Sequence, residues 1–171
     1  YTIHAYDDPM HASLGLKAAR MYSKIAPAAP HAQHMTTHIF LALGMWDDVV
    51  SQNIIASGHD HDHWQANHYT SWLGYAYALA GRRAEAHSVL AELKDPAKLR
   101  YGNPFAIARL HAALGEIAPA FEWLQKACDE RDPHVIWLKV DPTLDNLRSD
   151  PRFALQLGVM GLAEKAAVKS D

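Results

Sequence analysis

Histidine is the one reactive residue type this 171-residue chain carries in excess: there are twelve, and nine lie between His4 and His68. His31, His34 and His38 are three, four and seven residues apart, a spacing that returns to one face of a helix. Neutral imidazoles so spaced, joined by a carboxylate, form a donor set suited to zinc, nickel or iron. His4 and Asp8, four apart, offer a similar pairing upstream. A metal reading therefore uses His4, Asp8, His31, His34 and His38, with ligand nitrogens meeting about 2.0–2.1 Å from a zinc ion. Two other readings use the same rings. In one they are partly buried and satisfied by backbone or water. In the other they face a carboxylate or peptide ligand.

The tract His59-Asp60-His61-Asp62-His63 is a separate case. Alternate spacing suits a loop before a helix, with Asp60 or Asp62 as the cap. Such a loop is expected to pick up nickel adventitiously rather than hold a dedicated site, because it is poorly preorganised.

Other chemistry is sparse, and the chain is not expected to be an enzyme. There is no G-x-S-x-G elbow and no H-E-x-x-H pair. Cys128 stands beside a small packing residue, where a buried, inert thiol is expected. One cysteine excludes a disulfide framework and a cysteine-rich zinc module. Gly44, Gly81 and Gly115 are single and periodic, so they read as turns rather than a phosphate loop. Trp46, Trp64, Trp72, Trp123 and Trp137 fall at helical spacing and read as packing. Sixteen Lys and Arg against nineteen Asp and Glu give a formal −3, unlike a nucleic-acid binder. The longest stretch free of these charges, residues 63–81, holds too many polar groups for a membrane span. No signal peptide can be argued, and a cytoplasmic location is the default expectation. A start at Tyr1 rather than Met suggests a piece of a longer protein or a processed form.

The elements that must position these groups are helices. Apolar residues recur at three- and four-residue spacing, and strand alternation is lacking. Runs over residues 31–43 and 46–56 flank Gly44. The pattern returns over 69–80 and 83–93 around Gly81, and over 104–114 and 117–127 around Gly115. The three glycines are 37 and 34 residues apart. Laid on one another, Leu43-Gly44-x-Trp46-x-x-Val49 matches Ala80-Gly81-x-Arg83-x-x-Ala86 and Leu114-Gly115-x-Ile117-x-x-Ala120. Ala56, Leu93 and Ala127 follow seven residues on, and small residues at such places let helices approach closely.

With Leu73-Gly74-x-x-Tyr77 upstream of Gly81, this pattern resembles the tetratricopeptide (TPR) repeat, a 34-residue helix-turn-helix unit. The segment His31-Ala32-x-His34-Met35-x-x-His38-Ile39-Phe40, with His4-Ala5-Tyr6-Asp7-Asp8-Pro9 and Ile25-Ala26-Pro27, resembles one found in bacterial TPR-like proteins, most of them uncharacterised. Those usually carry Pro-Ser where this chain has Thr36-Thr37. Trp137-Leu138-Lys139-Val140-Asp141-Pro142 and Leu147-Arg148-Ser149-Asp150-Pro151-Arg152-Phe153 are similar to the segment that closes many bacterial TPR arrays.

The resemblance implies an all-α, right-handed superhelix of about eight helices in antiparallel pairs. It implies a truncated first repeat over residues 1–29, repeats over 30–66, 67–100 and 101–133, a cap over 134–162 and a frayed tail over 163–171. It also implies a concave groove lined by the second, fifth, ninth, twelfth and thirteenth positions of each unit. In the first full unit these are His31, His34, His38, Leu41 and Ala42. Later units add His68, Ser71, Tyr75, Ala78 and Leu79, then Gly102, Phe105, Arg109, Ala112 and Ala113. The ligand groove is thus expected at His31, His34, His38, His68, Tyr75 and Arg109, taking a protein or peptide partner without a cofactor. The alternative is a metal- or small-ligand-binding protein that holds a divalent ion such as zinc or nickel on its histidines. In that case any enzymatic chemistry would lie in a longer chain. The sequence leaves oligomeric state open.

Overall fold

Gly44, Gly81 and Gly115 hold φ values of 68°, 75° and 75°, the left-handed region that side chains with a Cβ avoid. Each ends a helix in the same way. The N–H after the glycine donates to the carbonyl five residues back: Met45 to Phe40 at 2.8 Å, Arg82 to Tyr77 at 2.8 Å and Glu116 to His111 at 2.9 Å. This satisfies carbonyls that the helix end leaves open and turns the chain toward its next helix.

The computed structural model describes residues 2–59, 63–95 and 103–163, with no strand among them. In chain order the helices are α1 (Thr2–Ala5), α2 (Ala12–Ile25), α3 (Pro30–Ala42), α4 (Trp46–His59), α5 (His63–Leu79), α6 (Arg83–Leu93), α7 (Pro104–Ala113), α8 (Ile117–Asp129) and α9 (Pro151–Val159). Two 3-10 segments, Pro133–Trp137 and Pro142–Leu147, lie between α8 and α9. The closing region is therefore more finely divided than the single expected cap. Among the described residues no helix is long and apolar enough to cross a membrane.

The chain divides into two compact units, Tyr1–Gly102 and Asn103–Asp171. In the first, each of α2 to α5 packs on its successor, and α1 lies against α2 and α3. Val49, Ala56 and Ala86 are buried at the close-approach positions, and the large side chains of Ile39, Phe40 and Tyr69 are fully buried in the same unit. Gly15 on α2 admits α3: a Cβ there would stand 2.8 Å from Ile39 Cδ1. Along α2, Leu14, Met21 and Ile25 stay exposed.

In the second unit α7 is buried from Pro104 to Ala112, enclosed by α8 and the segment Pro142–Leu147. Leu124, Leu138, Leu144 and Leu147 are fully buried around it, each contributing about 1.5–3 kcal/mol. Three Asp-Pro pairs start the closing elements. The carboxylates of Asp132, Asp141 and Asp150 accept the N–H two residues on, while the proline occupies a place where no N–H is needed. Cys128 is buried, and burial pushes its thiol pKa up, as expected of an inert thiol. Trp137 departs from the packing expectation, with more than half of it exposed. The tail beyond residue 163 lies outside the described residues.

Candidate functional site

Helix α3 begins at Pro30, whose fixed φ suits a first helical position. The preceding turn is tied to it by Gln33, whose Nε2 donates to the carbonyls of Ser23 (3.0 Å) and Ala26 (2.8 Å). Thr36 and Thr37, at the positions where the resembled segment carries Pro-Ser, are buried. Their hydroxyls donate to the carbonyls of Gln33 and His34 at 2.7 and 2.6 Å. With those groups satisfied inside, α3 turns its imidazole face to α1, α4 and α5.

His34 is the centre of that face and is only 2% exposed. Its Nδ1 donates to Oδ1 of Asn53 on α4, 2.9 Å away, and the Tyr69 ring covers it at 4.6 Å. On its other side, Nε2 lies 3.3 Å from His38 Nε2 and 3.1 Å from His68 Nε2. Both neighbouring rings meet it edge to face, with centroids 5.0 and 4.8 Å away. Burial is the main cause that pushes the His34 pKa down to about 3, with the His68 and His38 rings adding to it. The ring is therefore neutral near pH 7.

His38 is half-buried, and its Nδ1 donates to Asp7 Oδ2 at 2.7 Å. That bond holds the Asp7 carboxyl below the usual range, against the opposing effect of burial. An ionised carboxylate only accepts, so the proton of His38 is on Nδ1. The chain Asp7–His38–His34–His68 thus joins a loop, two residues of one helix and a residue 34 positions downstream.

Several expected site residues fall elsewhere. Asp8 is not the carboxylate of this cluster: it accepts from Met10 N, His11 N and the His11 ring at the start of α2. Asp7, one residue earlier, takes that role, because the turn after α1 shifts the face by one position. His34 does not line a groove; it lies beneath His38, His68 and Tyr69. His4 and His31 are exposed and line a cleft of about 380 Å³ with Ile3, Met21, Tyr22 and Met35. A second cleft of about 240 Å³ is lined by Asp7, Asp8, Thr37, His38, Leu41 and Trp72, among others. Tyr75 packs edge-on against Trp72 at 5.7 Å.

Arg109, expected in the groove, is a buried residue of the second unit, and Phe105 and Ala112 are buried with it. The groove count fails on α7 because Asn146 of the closing segment donates to the Ala112 carbonyl at 2.7 Å and covers that face. Residues 59–63 are not one loop, since α4 runs to His59 and α5 starts at His63. Residues 60–62 and the side chains of 59–66 lie outside the described part, so the metal-binding tract does too.

Asn53, Asp7 and Tyr69 complete the site and were not expected there. Asn53 carries a readable signal: it is a polar residue in the buried stripe Val49, Asn53, Ala56. Among the described residues no group of three or more His, Cys, Asp and Glu side chains stands ready to hold a metal ion, since the imidazoles approach in pairs through His34. Chemically, the cluster offers unprotonated nitrogen in a largely dry setting, oriented by a carboxylate and an amide. No family model, curated protein or solved structure matches the chain significantly.

Proposed function

We propose that this chain is a ligand-binding helical-repeat module, with TPR-like helix pairs arranged as a right-handed array. Its ligand is an extended peptide that lies along α3. One observation carries the reading. Of the five positions counted as groove-facing on the first full repeat, four line clefts: His31 the larger, and His38, Leu41 and Ala42 the smaller. The thrice-repeated glycine turn supports the repeat itself. Antiparallel helix pairs offer a preformed surface, so a peptide that binds there orders little of the scaffold. The walls choose its character. Ile3, Met21, Tyr22 and Met35 suit an apolar side chain in one cleft. In the other, Leu41 and Trp72 lie beside Asp7 and Asp8, which favours an apolar residue neighbouring a Lys or Arg.

Selection from a phage-displayed library of random 12-residue peptides, with chelator present throughout, tests this. The enriched sequences should carry apolar residues and at least one cation. By fluorescence anisotropy, Leu41→Asp and His31→Ala should each weaken the best peptide at least tenfold, with unchanged helical circular dichroism. Enrichment of nothing, or equal binding by both variants, sinks the reading.

A further inference from the structure

We propose that the outer face of α9 is a contact between two copies of this chain, with the two helices antiparallel about a two-fold axis. Helix α9 turns Phe153, Leu157 and Met160 toward the core of the second unit. Its other face carries Ala154, Leu155, Gly158 and Val159, all exposed and none charged. Leu155 and Val159, 69% and 70% exposed, form an apolar ridge, and the small Ala154 and Gly158 leave a furrow beside it. Both pairs are four residues apart, so ridge and furrow run side by side along the helix. Gly158 is not explained within one chain. Glycine weakens a helix relative to alanine. Gly115 needs its left-handed φ and Gly15 makes room for Ile39, but Gly158 has neither reason. A Cβ there would meet nothing within 4 Å. Open space of that kind lets the backbone of a second helix approach closely.

A second observation lies at the same place. Gln156, 8% exposed, lines a cleft between α8 and α9 together with Leu155 and Val159. Gln125 gives its Nε2–H to Asp129 at 2.8 Å, so its Oε1 is the atom that accepts from Gln156 Nε2. That fixes which way the Gln156 amide points, and its Oε1 is buried without a donor. A buried acceptor with no partner marks a face that one chain leaves incomplete. The copy brings a donor, because Asp150 takes only Nε and Nη2 of Arg152 and leaves Nη1. The face also fits itself. In the antiparallel pair Leu155 of one chain meets Gly158 of the other and Val159 meets Ala154, and the two-fold axis repeats both contacts. The same pairing brings Arg152 to the C-terminal end of the copy's helix, where a cation is favoured. Any other partner would have to match ridge, furrow and charge separately; a copy matches all three by symmetry.

The contact is independent of peptide binding, which concerns the first unit, and its experiment uses different variants. Analytical ultracentrifugation of the whole chain is run from about 1 to 500 µM, the range in which small interfaces dissociate. The mass should rise reversibly from one copy to two. Gly158→Gln has room in the single chain and introduces a better helix former. Its thermal midpoint at low concentration should hold or rise, while dimerisation weakens about tenfold or more. Leu155→Ser should weaken the dimer as much, with unchanged helical circular dichroism. Leu14→Ser, on the exposed apolar face of α2, should leave the dimer as it is. A single copy at every concentration overturns the assignment. So does a dimer that both α9 variants retain, or one that Leu14→Ser disrupts in their place.

Discussion

At the scale of single residues, Asn53 decides how His34 can be buried at all. A buried imidazole without a partner for its N–H loses about 1–3 kcal/mol. Asn53 Oδ1 removes that cost at 2.9 Å, from a position itself fully buried. Asn53→Ala should therefore lower stability in urea unfolding by about 1–2 kcal/mol, because the orphaned His34 donor and a small cavity outweigh the relief of the buried Asn53 Nδ2, which has no partner. A loss below about 0.5 kcal/mol would show that His34 is satisfied some other way. The second unit has a comparable group in Asp132. Its carboxylate accepts from Phe105 N at 3.1 Å and from His134 N at 2.9 Å, so it ties α7 to the segment after α8. The sequence carried the face of His34 and His38 through their spacing. It did not carry the depth of His34, because depth depends on Tyr69 and Asn53, which stand on other helices.

Elements were legible where local chemistry ends them. The α3 run was expected over 31–43 and is Pro30–Ala42, and the α6 run is Arg83–Leu93 as expected. In both, a proline or a left-handed glycine marks the boundary. By contrast α5 starts at His63, six residues before the apolar run expected from Tyr69, because its first turns are polar and lack a breaker. Two substitutions separate these causes. Gly115→Ala places a Cβ at φ 75° in open space, so only backbone strain opposes it. A cost of about 1–2 kcal/mol should appear as a lower thermal midpoint. Gly15→Ala meets the reverse situation: the helix backbone welcomes alanine by up to about 1 kcal/mol, but the new methyl overlaps Ile39 Cδ1 at 2.8 Å and touches Tyr6 Cβ at 3.3 Å. Ile39 is fully buried and cannot retreat freely. We expect a net loss of about 1 kcal/mol; a stabilised Gly15→Ala would mean that α2 and α3 are less tightly packed than these distances imply.

For the whole molecule, two titratable groups weaken the fold as pH falls, in two separate windows: His34 through its burial, Asp132 through the hydrogen bonds that its ionised carboxylate accepts. His34 in the first unit has its pKa depressed from 6.5 to about 3. The unfolded chain thus binds its proton first, and the stability this ring gives is complete above about pH 6.5 and falls as pH drops from there toward 3. The steepest slope for one group is about 1.4 kcal/mol per pH unit. Asp132 in the second unit is opposed by burial, but the His134 ring, the His134 N–H and the Phe105 N–H hold its pKa below 3.8. Its contribution is complete above that value and is lost only as pH falls through the lower folded one. Amide hydrogen exchange corrected for intrinsic rates should therefore show helices α3–α5 losing protection between pH 6.5 and 5. Over the same interval α7 and α8 should hold, and they should weaken only below about pH 4. His34→Gln should flatten the first decline and leave the second. If both units lose protection together above pH 5, or α3–α5 hold to pH 4, the dry neutral imidazole at the centre of the first unit is not what sets its acid stability.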